Sequence, residues 1–170
     1  METNLKKIRR EGIPKAISKA ETYRYLNEPD EAESILRDVL AADPENQEAL
    51  RLLGLTLTDQ FTGADADRAA EAERVFQGLV DPYGRLYYGG IVRERRGKAL
   101  LRAGRPLHSV RPLFEEAMRC FEEAERSSPE GNEDAKLRWN RCARLLGEAG
   151  GAARATREPE PFETGDAPPI

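Results

Sequence analysis

Histidine occurs once in this chain, at His108, tryptophan once, at Trp139, and cysteine twice, at Cys120 and Cys142. A protein-bound metal draws on several His, Cys or carboxylate ligands at helical or hairpin spacing, and these few residues do not supply them. No metal or cofactor is expected. The cysteines form no CxxC pair and fall on predicted helices, so reduced, buried thiols are the expectation. Long apolar runs are also missing. Stretches such as Leu52-Leu53-Gly54-Leu55 are far short of the ~20 residues a membrane helix needs. The start, METNLKKIRR, is basic and runs into GIPKAISKAE rather than an apolar signal core, so a cytoplasmic location is expected.

Catalytic patterns are equally scarce. No serine stands in a G-x-S-x-G turn. The stretch from Gly90 to Lys98 has the wrong glycine spacing for a phosphate loop, and Ala99 stands where a hydroxyl would reach magnesium. The pairs Glu115-Glu116 and Glu122-Glu123 alternate with apolar helix positions and read as a hydrated outer face. His108, in a segment between two prolines, has no evident acid or metal partner. The sequence therefore predicts no catalytic residues and no enzyme.

Charge, by contrast, is abundant and unevenly placed. Charged residues make up 34% of the 170 positions, and the net charge is −4. Residues 21–81 hold five basic and fifteen acidic side chains, whereas residues 82–111 hold eight basic and one acidic. A local basic block of this kind can define a binding face even in an acidic chain.

One pattern of small and bulky residues recurs three times. Ala32-x3-Leu36-x2-Val39-x4-Pro44 returns as Ala72-x3-Phe76-x2-Leu79 and as Ala117-x3-Phe121-x2-Ala124-x4-Pro129. Each copy places a small residue and two apolar ones on one helical face. Preceding halves contain Tyr23, then Leu50-x2-Leu53-Gly54-x2-Leu57, then Gly97-x2-Leu100-x3-Gly104. The spacing predicts helices over about Pro14–Asn27, Asp30–Ala42 with Asp30 as N-cap, and from Asn46 through Leu57. An enlarged turn follows around residues 62–65, and Pro82 arrives early after the second copy. A long helix is predicted over Tyr83–Ala103. Either Gly90 or Gly97 can sit at its point of close approach, and Gly97 fits the repeat spacing better. A long loop over 105–111, a helix over Pro112–Arg126 and a final helix over Glu133–Leu146 complete the reading.

These paired halves resemble the tetratricopeptide repeat, whose signature combines a small residue and an aromatic in one helix with A-x3-F…P in the next. The resemblance implies an all-α solenoid: a basic segment over 1–12, about three helix pairs plus a capping helix over 13–146, and a disordered acidic tail over 147–170. It resembles bacterial proteins of that family with no assigned partner, and implies a non-catalytic scaffold or adaptor for a partner protein or peptide. In the family the first helix of each pair lines a concave groove. Register then gives the groove residues as Arg51, Leu55, Asp59, Glu94, Arg95, Lys98, Arg102, Lys136, Asn140 and Arg144. Ile17 and Glu21 stand where some members carry a carboxylate clamp, so the complete clamp is absent.

Arg95, Lys98 and Arg102 at i, i+3 and i+7 form a basic strip suited to an acidic peptide. The chain's own tail, with Glu158, Glu160, Glu163 and Asp166, is a second candidate occupant. Nucleic acid is the competing class. The Arg93–Arg111 stretch follows Tyr83, Tyr87 and Tyr88, but the chain as a whole is acidic and these tyrosines fall at core spacing. No membrane partner is expected.

Overall fold

A computed structural model describes residues 4–64 and 66–155, with side chains as far as Gly147. A 3-10 turn at Arg10–Gly12 leads into seven helices: α1 Ile13–Tyr25, α2 Pro29–Ala42, α3 Gln47–Asp59, α4 Ala66–Gln77, α5 Pro82–Arg102, α6 Leu107–Arg126 and α7 Asp134–Ala155. Among the described residues there is no strand, and no helix is long and apolar enough to cross a membrane. The helices pack in sequence order, α1 on α2, α3 on α4, α5 on α6 and α6 on α7. Because α1 also touches α3, and α3 touches α5, these odd-numbered helices form one layer, with their even-numbered partners packed against them and α7 packed on α6. This is an all-α helical repeat arrangement.

The recurring small residues explain the layering. Ala32, Ala72 and Ala117 are all completely buried, as are Leu36, Phe76 and Phe121 four residues after each. Small side chains let the paired helices approach, and the bulky ones fill the space left between them. The closest approach is at glycine. A Cβ on Gly54 would lie 2.4 Å from the Phe76 ring, and one on Gly90 would lie 2.5 Å from the Phe121 ring. Gly90, not Gly97, is therefore the counterpart of Gly54, which corrects the sequence register. Gly97 makes the same kind of contact with Phe114, seven residues on along α5 and seven back along α6.

That second glycine–phenylalanine contact explains the length of the third pair. At 21 and 20 residues, α5 and α6 outrun α3 and α4, at 13 and 12. The expected loop over 105–111 is absent because α6 begins at Leu107 and carries Pro112 inside it. Pro112 forfeits one backbone hydrogen bond. Val110 and Phe114, both buried, hold the added turns against α5 instead. Gly104, at φ +85°, makes the tight turn between them.

Chain punctuation accounts for the other boundaries. Asp81 accepts hydrogen bonds from the backbone N–H groups of Tyr83 and Gly84, so Pro82 opens α5 rather than closing α4. Glu28, not Asp30, stands at the cap position of α2, without a side-chain cap bond, because Pro29 already lies in the helix. In the enlarged turn after α3, Phe61 is buried and plugs the end of the first core. The final helix, expected to end at Leu146, continues to Ala155; residues 156–170, most of the expected tail, lie outside the described set.

Two apolar clusters result. One joins α1 through α4 to Val92 and Ala99 of α5, and the other gathers Ile91, α6 and the inner face of α7. Leu55 and Tyr88 touch both clusters. Between α2, α4 and the end of α3, Glu33 receives hydrogen bonds from Arg37, Gln60 and Arg68, and Arg37 also reaches Glu71. Burial pushes the Glu33 carboxyl upward, but these donors outweigh it and hold its pKa below the ordinary carboxylate range.

Candidate functional site

The chemistry of the surface concentrates where the C-terminal ends of α3 and α5 meet α7. Asp59, in the last turn of α3, is gripped from both sides. Arg24 of α1 donates to it at 2.8 Å, and Arg95 of α5 pairs with its other oxygen. Arg95 also donates to the Thr58 hydroxyl at 2.7 Å and to the Leu55 carbonyl at 3.4 Å. Thr58 donates in turn to the Leu55 carbonyl at 2.7 Å. One polar ladder thus ties α1, α3 and α5 across the odd-numbered layer.

A second ladder ties α5 to α7. Glu94 is completely buried, pairs with Lys98 one turn later, and meets Arg138 at 3.3 Å. Burial works against the charge on Arg138. The Glu94 carboxylate and the Tyr87 hydroxyl outweigh it, so the guanidinium pKa lies above its usual value. Close by, burial pushes the Cys142 thiol up to about 12, with Glu94 adding to the effect. At neutral pH this cysteine remains a thiol. Cys120, half-buried, is shifted the same way and chiefly by burial.

Between the two ladders opens a pocket of about 320 Å³ lined by Thr58, Asp59, Arg95, Lys98, Arg102 and Arg138. Its cations outnumber its acids. Asp59 is already matched by Arg24 and Arg95, and Glu94 by Lys98 and Arg138. Arg102 has no ion-pair partner among the described residues and is exposed at the end of α5. A surplus of positive charge in a recess with low-dielectric walls attracts anions, and guanidinium forks suit carboxylate or phosphate oxygens.

Four of the residues taken from the sequence therefore meet here: Asp59, Arg95, Lys98 and Arg102. The others divide. Glu94 does not face the groove, because α7 covers it and Arg138 neutralises it. Lys136 pairs with Glu133 just before its own helix and lies 3.7 Å from Glu125 of α6. Asn140 is half-buried and Arg144 exposed, and neither lines this pocket. Ile17 of α1 is buried. Leu55 is half-buried in the seam between α3 and α5. Arg51 borders a different recess, also about 320 Å³, with Gln47, Leu79, Val80, Tyr83 and Tyr88 at the other end of that seam.

Thr58, Arg24 and Arg138 were missed by sequence reasoning. Thr58 lies on the predicted α3 groove helix next to Asp59, and that adjacency was its only signal. Arg138 is invisible without the placement of α7, because its role depends on Glu94 being buried beneath it. The acidic tail offered as an occupant lies beyond the described residues apart from its first turns, so the structure does not place it.

The basic stretch from Arg93 to Arg111 does not form one surface. Arg93 points away from the pocket, lying 3.4 Å from both Glu73 and Glu116 and donating to the Gly89 carbonyl. The three tyrosines upstream stack on one another and on core rings: Tyr88 on Phe76 at 4.8 Å, Tyr83 on Tyr87 at 5.5 Å. Compared with family models and with curated proteins, the chain finds a match in neither.

Proposed function

We propose that this chain is a non-catalytic, cytoplasmic adaptor of the tetratricopeptide kind, and that it holds an acidic segment of a partner protein against its odd-numbered helices. The observation that carries this reading is the pocket at Asp59, Arg95, Lys98, Arg102 and Arg138, whose cations exceed the acids within reach. The stacked odd-numbered layer supports it, because an extended peptide needs a long shared face. Peptide is favoured over nucleic acid because the basic stretch splits between two faces and its tyrosine rings are engaged in the core.

Single exposed charge pairs contribute only ~0–1 kcal/mol, so several must act together and salt must weaken them. Arg102 is the residue to change, since it has no ion pair among the described residues to lose. Fluorescence anisotropy with a labelled Asp/Glu-rich peptide should show Arg102→Glu weakening binding by about ten-fold, roughly 1.4 kcal/mol. Wild-type binding should also fall as salt rises. Equal affinity for the variant and the wild type, or binding indifferent to salt, would contradict the assignment.

A further inference from the structure

The seam between α3 and α5 holds two recesses of different chemistry. At one end is the cationic pocket of Thr58, Arg95 and Arg102. At the other is the recess between the helix starts, walled by Leu79, Val80, Tyr83 and Tyr88, with Arg51, Glu48 and Asp81 also lining it. Val80 is 72% exposed, although it stands next to the buried Leu79.

Both recesses draw lining residues from the same two helices. Gln47, Arg51 and Thr58 are spaced i, i+4 and i+11 along α3. Gly84, Tyr88, Arg95 and Arg102 are spaced i, i+4, i+11 and i+18 along α5. At 3.6 residues per turn each set stays within about 40° of one line. Between the two recesses along these helices lie Leu55, half-buried, and Ile91, buried.

Each helix independently measures the separation. The recesses are centred about ten residues apart on α3 and about thirteen on α5, which at ~1.5 Å per residue is roughly 15–20 Å. An extended peptide advances ~3.3–3.6 Å per residue, so about five residues span the gap. We propose that the acidic segment is read by a two-point rule: an aromatic or large aliphatic side chain enters the Leu79–Tyr88 recess, and an acidic residue about five positions away meets Arg95, Lys98 and Arg102. This rests on the adaptor reading above and adds what selects one acidic segment over another. Charge then supplies attraction, and spacing supplies choice.

The test uses four labelled twelve-residue peptides in fluorescence anisotropy with the full chain. Two carry Phe and an Asp-Glu pair five positions apart, one in each order, since the seam can be read in either direction. One replaces Phe with Ser, and one moves Phe to two positions from the acids. One of the five-spaced peptides should bind about ten-fold tighter than both controls. Val80→Asp, a change at an exposed position, should erase that advantage and leave the Ser peptide's affinity within about two-fold. Equal binding by all four peptides would overturn the two-point rule while leaving the adaptor reading intact. Failure of every acidic peptide to bind at low salt would overturn both.

Discussion

Leucine at position 90 should destabilise the protein by about 3 kcal/mol, and alanine there by about 1–2 kcal/mol. The direction is the informative part. In an open helix, replacing glycine with alanine stabilises by ~0.5–1 kcal/mol, because less chain entropy is lost on folding. At Gly90 the added carbon would stand 2.5 Å from the ring of Phe121, which is itself completely buried and touches Tyr87 at 5.9 Å between ring centres. The ring has little room to yield, so overpacking exceeds the entropy gain. Gly147→Ala provides the control, since a carbon there meets nothing within 4 Å. Urea unfolding should show Gly147→Ala neutral or stabilising and Gly90→Ala destabilising. Adding Phe121→Leu should lessen the penalty of Gly90→Ala below the sum of the two changes. A stabilising Gly90→Ala would mean that α5 and α6 do not cross where the fold places them.

The second large effect belongs to the ion pair beneath α7. Removing one member of a buried pair leaves the other charged and poorly solvated, which costs about 3–5 kcal/mol in a dry site. Here Glu94 is wholly buried but Arg138 and Lys98 retain 36% and 28% side-chain exposure, which moderates the figure. Arg138→Met should therefore lose about 2–3 kcal/mol in urea unfolding at neutral pH. Replacing both partners, as Glu94→Leu with Arg138→Leu, should recover most of that loss, because an apolar pair needs no desolvation. Lys98, partly exposed, can then turn to water. An Arg138→Met variant within about 0.5 kcal/mol of wild type would show that Glu94 does not depend on α7, and the pocket would lose one of its walls.

Both effects turn on features that were legible in the sequence only in part, and for different reasons. The three small-and-bulky copies were readable because Ala32, Ala72 and Ala117 each precede a buried bulky residue by one helical turn. The register of the third pair was not. Gly90 and Gly97 are seven residues apart, nearly two whole turns, so they lie on almost the same face and periodicity alone cannot separate them. Only the partner rings do so, Phe121 for one and Phe114 for the other. Pro112 misled for a similar reason: it looks like a helix start, and here it lies inside a helix flanked by the buried Val110 before it and Phe114 after it.

The site followed the same division. Arg95, Lys98 and Arg102 share a face by spacing alone, and they do line one recess. Glu94 sits in the same run and reads as a fourth member of that face. It is buried instead because α7 lies across it, which no local pattern announces. On α7 itself the stripe of Lys136, Asn140 and Arg144 gave way to Arg138, since the helix turns its Ala135 and Cys142 side inward. Arg138 lies about 120–160° around α7 from those three positions, so the helix turns nearly its opposite face to the pocket.

The most direct test is a two-dimensional NMR titration of the labelled protein with the five-spaced acidic peptide. Shifts should concentrate at Arg51, Leu55, Thr58 and Asp59 of α3, at Arg95, Lys98 and Arg102 of α5, and at Arg138 of α7. The outer positions of α2 and α4, such as Ser34, Arg37 and Arg74, should stay still. Shifts confined to α2, α4 and α6, with the α3–α5 seam silent, would contradict the reading of the odd-numbered layer as the binding face.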